Sequence, residues 1–198
     1  MEQWNITQFL WMNAGDHPDS LTVLLAAIFA DYAIFLVPLM LVIGWLSGDA
    51  PRRTLMLEAT AGGLFALLIN QLIGMVWQHP RPFMIGMGHT LIPHVADSSF
   101  PSDHLTLLLA VAFCFVIRAR WLVCGVVLLA LSLPMAWSRI YLGVHFPLDM
   151  VGAAFVGFIS AAILFGVRKT VVARLLAPAE RLYHWVFSAC IRRGWLRQ

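Results

Sequence analysis

Three polar clusters stand in an otherwise very apolar chain, and they hold the side chains best suited to chemistry. They are His79-Pro80-Arg81-Pro82, Pro101-Ser102-Asp103-His104, and Ser138-Arg139 followed by His145 and Asp149. Two guanidinium forks suit a phosphoryl group, whose charge spreads over its equatorial oxygens during transfer. Of two imidazoles, one can attack phosphorus while the other hands a proton to the leaving oxygen. Free backbone N–H groups at a helix start, with a serine hydroxyl, form a ready cradle for phosphate oxygens.

Spacing sharpens these roles. Pro101-Ser102-Asp103 reads as a helix entry, with Ser102 at the cap and an acid in the first turn. That would serve folding alone, or it would bring Ser102 and His104 to a phosphate. Pro147 is a good first-turn residue, and Asp149 lies four residues after His145. A helix starting there lets the carboxylate reach one ring nitrogen, fix the tautomer and leave the other nitrogen free to attack. Arg81 sits between prolines that stiffen its backbone. Taken alone it would serve equally well as a lipid-headgroup anchor.

The elements that must position these groups are membrane helices. Of 198 residues, 61% are hydrophobic and 12% charged, half the charged share of an average soluble domain, about a quarter. Five spans are expected: Leu21 to Leu46, Thr54 to Trp77, Ser102 to Ile117, Trp121 to Trp137 and Pro147 to Val167. The third and fourth are short, with a tight turn at Arg118-Ala119-Arg120. Residues 1 to 20, with Trp4, Phe9, Leu10 and Trp11, suit a helix lying in the interface. Nothing there resembles the basic start of a cleaved signal peptide. The expected architecture is therefore all-α, one membrane-embedded domain over 1-198 with its core at 21-168 and an amphipathic tail at 170-198.

The net charge of +3 is organised for a bilayer and points to no nucleic acid. Arg52 and Arg53 follow the first span, Arg118 and Arg120 the third, and Arg168, Lys169, Arg174, Arg181, Arg192, Arg193 and Arg197 the fifth. This alternation is the positive-inside pattern. It predicts a cytoplasmic C-terminus and places loops 78 to 101 and 138 to 146 on the outer side. The two basic residues left over are Arg81 and Arg139. The 3 Cys form no metal-type pair and are expected as free thiols. Asp31, Asn70 and Gln71 fall inside spans; an intramembrane carboxylate is a functional candidate by default, pairing between helices is an equal reading, and all three are left outside the site. Ala153, Gly157 and Ala161 form a small-residue stripe expected to be a helix contact.

In order and spacing, the three clusters resemble the type 2 phosphatidic acid phosphatase superfamily, whose pattern is K-x6-R-P, P-S-G-H and S-R-x5-H-x3-D. The resemblance implies a metal-independent phosphatase with no cofactor. It implies His145 as the nucleophile of a phosphohistidine reaction, Asp149 orienting it and His104 as general acid. Arg81, Ser102 and Arg139 would bind phosphate. Two positions depart from the pattern. Gly74 stands where the family has its first Lys, leaving Gln78, His79, His89 and His94 as candidate substitutes. Asp103 replaces a Gly and adds negative charge where phosphate should arrive. The stretch from His89 through His104 and the run Tyr141 to His145 are similar to the bacitracin-resistance undecaprenyl-diphosphate phosphatases. That branch implies a polyprenyl diphosphate substrate met at the outer face of a bacterial inner membrane, with phosphatidylglycerol phosphate, phosphatidate or phosphotransfer to another lipid as alternatives. The sequence sets no oligomeric state.

Overall fold

The computed structural model describes residues 2–196, which form helices and loops without a strand. The helices are α1 (Glu2–Met12), α2 (Ser20–Ala27), α3 (Leu36–Ser47), α4 (Ala50–Val76), α5 (Asp103–Val116), α6 (Leu122–Tyr141), α7 (Pro147–Val186) and α8 (Ser188–Arg192). Four stretches are long and apolar enough to cross a bilayer: Ser20–Ser47, Ala50–Val76, Ala119–Tyr141 and Pro147–Val186. The chain is a multi-pass membrane protein.

Helix α5 is short for an apolar helix in a membrane protein, 14 residues, or about 21 Å at 1.5 Å per residue. It is also the centre of the bundle, packed by α4, α6 and α7. Leu105, Thr106, Leu108 to Ala112, Cys114 and Phe115 are all buried, so nearly its whole circumference faces protein, as expected for a helix apolar all round. On α7, Ala153 and Ala161 are buried, and a Cβ at Gly157 would come within 3.1 Å of Leu109 Cβ. The small-residue stripe is thus the α5–α7 contact. Leu64, Leu68, Leu72, Phe155 and Phe158 point outward, a surface suited to lipid.

Three expectations are corrected. Helix α6 runs to Tyr141 rather than stopping near Trp137, so Ser138 and Arg139 lie in its last turn. Helix α7 does not end near Val167 but continues for 40 residues to Val186, because nothing in Arg168 to Arg174 breaks a helix. Its end returns to the bundle: Tyr183 is buried, edge-on to Trp45, with Arg53 over its ring. Finally, α1 is not simply interfacial. Asn5 and Phe9 are buried, the Asn5 Oδ1 accepts the Leu148 N–H at 3.0 Å, and Phe9 stands edge-on to Phe146.

The link between α6 and α7 depends on Gly143, whose φ is +79°. A Cβ there would stand 2.2 Å from the His89 carbonyl oxygen. Gly143→Ala therefore should cost on the order of 1–3 kcal/mol, seen as a lower melting temperature in detergent. An unchanged melting temperature would mean that the long loop is not pinned there.

Candidate active site

All six residues expected to act converge at one end of the bundle. His145 comes from the α6–α7 link, Asp149 from the first turn of α7, Arg139 from the end of α6 and Arg81 from the 77–102 loop. Ser102 is the N-cap of α5 and His104 lies in its first turn. His145, Asp149, Arg139 and Ser102 are almost wholly buried, and Arg81 is 5% exposed.

Asp149 fixes the histidine. Its Oδ2 accepts from His145 Nδ1 at 3.0 Å and from the Phe146 N–H at 2.8 Å, and the Ser99 hydroxyl donates to the same oxygen. A carboxylate accepts only, so Nδ1 carries the proton and Nε2 keeps its lone pair. The Nε2 lone pair faces Arg81, whose Nη1 lies 2.9 Å away. Arg81 is itself anchored, Nε to Asp97 Oδ1 at 2.8 Å and Nη1 to the Val144 carbonyl at 3.0 Å.

Arg139 is held from two sides. Nη1 donates to the Ala30 carbonyl at 2.9 Å and stands 3.8 Å from Asp31 Oδ1; Nη2 lies 2.9 Å from His94 Nε2. Ala30 and Asp31 belong to a π turn, Ile28–Tyr32, between α2 and α3. Such turns re-aim backbone and side chains within a helix. Asp31, read from sequence as lying outside the site, is thus brought to its second arginine. Asn70 and Gln71 stay outside, and they settle the position of Asp103. Its carboxylate accepts from Asn70 Nδ2 at 2.8 Å and Gln71 Nε2 at 3.2 Å, an alignment towards α4.

Buried donors of the cluster without a partner among the described residues include Ser102 Oγ and Arg139 Nε. Unsatisfied buried donors are costly, and phosphate oxygens would satisfy both. Of the four candidates for the missing Lys, only His94 enters the cluster, its ring centroid 6.1 Å from that of His145. His79 packs its ring against Trp77 and Phe146, and His89 pairs with Asp16 at 3.1 Å. Gln78 lines a separate polar cavity of about 450 Å³ beside Gly74. Sequence reasoning also gave no role to Ser99 or Asp97, whose only signal was their place in the 89–104 run.

The arrangement is chemically competent for in-line displacement at phosphorus, since the Nε2 lone pair of His145 is free to attack. Burial and the positive charges of Arg139 and Arg81 hold His145 well below its ordinary pKa. A lowered pKa keeps Nε2 unprotonated as pH falls past 6.5. The acid limb of kcat/KM due to the enzyme should therefore lie below pH 6.5, once the substrate's own ionisation is divided out. An acid limb at or above that value would contradict this environment.

Comparison with known proteins identifies the family. The sequence profile described as PAP2 superfamily matches residues 55–173. The chain is 34% identical to YbjG of Escherichia coli over 200 residues, covering 100% of this chain and 99% of that protein. It is 38% identical to the undecaprenyl-diphosphatase BcrC of Bacillus subtilis over 189 residues, 96% of this chain and 94% of that one. The crystal structure of Aquifex aeolicus LpxE superposes with a TM-score of 0.65 at 23% identity, covering 82% of this chain and 95% of LpxE. That likeness speaks for the fold.

Proposed function

The chain belongs to the PAP2 superfamily and is a phosphatase, and from that premise we propose that it hydrolyses undecaprenyl diphosphate to undecaprenyl phosphate and phosphate. The observation that carries the chemistry is the Asp149–His145 pair, with its Nε2 lone pair turned toward Arg81. Nε2 attacks the terminal phosphorus, and the bond from phosphorus to the bridging oxygen breaks. His104 protonates that oxygen as the lipid monophosphate leaves. The same imidazole then takes a proton from water, which attacks phosphorus, breaks the P–N bond and releases phosphate with Nε2 restored. Arg81, Arg139, Ser102 and the α5 N-terminus hold the phosphoryl oxygens through both steps.

The undecaprenyl diphosphate assignment rests on full-length similarity to BcrC. The basic residues near Arg52, Arg118 and Arg168 favour a cytoplasmic location for the end opposite the site. The site then faces outward from the bacterial inner membrane, and the prenyl chain stays in lipid while the head group enters. The role would be return of the cell-wall lipid carrier to its monophosphate form.

The test is phosphate release from undecaprenyl diphosphate by purified protein in detergent containing EDTA, beside phosphatidylglycerol phosphate and phosphatidate. Release is expected to survive EDTA and to be fastest with the prenyl substrate. A preference for a glycerolipid, or a need for metal, would overturn the assignment.

A further inference from the structure

We propose that His94 is a third phosphate-binding residue of this site, taking up a proton as phosphate arrives and holding a phosphoryl oxygen as a cation. The proposal rests on the phosphatase reading above and adds a ligand to it.

Hydrogen bonding fixes the state of His94 in the structure. Its Nδ1 lies 3.2 Å from the Val95 carbonyl, which only accepts, and its Nε2 lies 2.9 Å from Arg139 Nη2, which only donates. His94 is therefore the neutral tautomer with its proton on Nδ1. Burial and the charges of Arg81 and Arg139 press in the same direction, lowering its pKa, while the Val95 carbonyl and, less, Asp97 press against them.

Phosphate would reverse that balance. The charged groups facing His94 are Arg81 and Asp97 from its own loop and Arg139 from α6, with His145 from the α6–α7 link and His104 from α5 as titratable neighbours. Asp31, Asp97 and Asp149 already oppose the two arginines. Asp31 and Asp97 alone match the two arginines in charge, so the guanidiniums leave little net positive charge for an arriving anion. Yet the site must accept an anion, and a histidine that takes up a proton supplies positive charge there. His145 must keep its lone pair, and His104 gives its proton to the leaving group. His94 alone can stay charged through both steps. A phosphoryl oxygen that takes over Arg139 Nη2 also releases His94 Nε2 to be protonated and to donate to the phosphate.

The experiment is calorimetric titration of the full-length protein in detergent with orthovanadate at pH 7, in buffers of differing ionisation enthalpy. Wild type and His94→Gln are compared, because a glutamine oxygen can still accept from Arg139 but the side chain cannot protonate. Wild type should take up more protons per site than the variant, by up to about one, and bind vanadate at least ~10-fold more tightly. The variant's handicap should shrink as pH rises and wild type loses its extra proton. Equal proton uptake and equal affinity would overturn the proposal and leave the phosphatase reading intact. Failure of wild type to hydrolyse any lipid phosphate would overturn both.

Discussion

His145→Ala should abolish turnover, with phosphate release falling by at least about 10⁴-fold, the scale seen when a covalent nucleophile is removed. The loss should come with an intact fold, because His145 bonds to Asp149 and Arg81 but is not the groups' only anchor. Phe146 and Ser99 still hold Asp149, and Asp97 and the Val144 carbonyl still hold Arg81. A decisive companion measurement is a rapid alkaline quench with substrate radiolabelled in the terminal phosphate. Wild type should carry an acid-labile, alkali-stable label, as a phosphoramidate bond does, and His145→Ala none. His104→Asn adds a check on the division of labour. With a phenolic leaving group that departs without protonation, this variant should form the phosphoenzyme and fail to hydrolyse it. Labelling in His145→Ala would move the nucleophile elsewhere, with His94, its ring centroid 6.1 Å from that of His145, as one candidate.

The site was legible where its groups are local in sequence. His145 and Asp149 lie four residues apart at a helix start, and helix geometry alone brings them together. Ser102 and His104 share one helix entry for the same reason. The hydrophobic runs located all five apolar segments, since burial in lipid demands them. What was not legible depended on contacts between distant segments. Asp31 meets Arg139 across 108 positions of sequence, and only a π turn aims it there. Asn5 reaches the start of α7 because α1 packs on the bundle, which its interfacial composition does not reveal. Asp103 looked misplaced beside a phosphate until Asn70 and Gln71 drew its carboxylate toward α4. The end of α7 was missed for a different reason. Hydropathy marks where a helix leaves lipid, whereas α7 continues as a helix beyond that point and packs Tyr183 against Trp45.

Asp149→Asn should reduce turnover by roughly 10³–10⁴-fold, a loss comparable to that of replacing the orienting carboxylate of a hydrolytic triad with its amide. The change is nearly isosteric, so the effect isolates charge and tautomer. The Asp149 Oδ2 receives the Phe146 N–H, the Ser99 hydroxyl and His145 Nδ1. An asparagine can keep its oxygen toward all three, with its NH₂ in the place of Oδ1, which has no partner among the described residues, but a neutral amide oxygen is a weaker acceptor than a carboxylate. The Nδ1 tautomer is then held less firmly, and any proton on Nε2 both removes the attacking lone pair and meets the donor Arg81 Nη1 at 2.9 Å. Removing the carboxylate also removes the charge that stabilises the ring as it becomes positive on attack. The variant should therefore lose kcat far more than KM, and its phosphoenzyme should form slowly with every leaving group, unlike that of His104→Asn. Ser99→Ala provides the contrast. It deletes one hydrogen bond to the same oxygen while leaving charge and tautomer in place, so a loss of only about 10-fold is expected. Equal losses in Asp149→Asn and Ser99→Ala would mean that Asp149 acts by holding the loop and not by setting the state of His145.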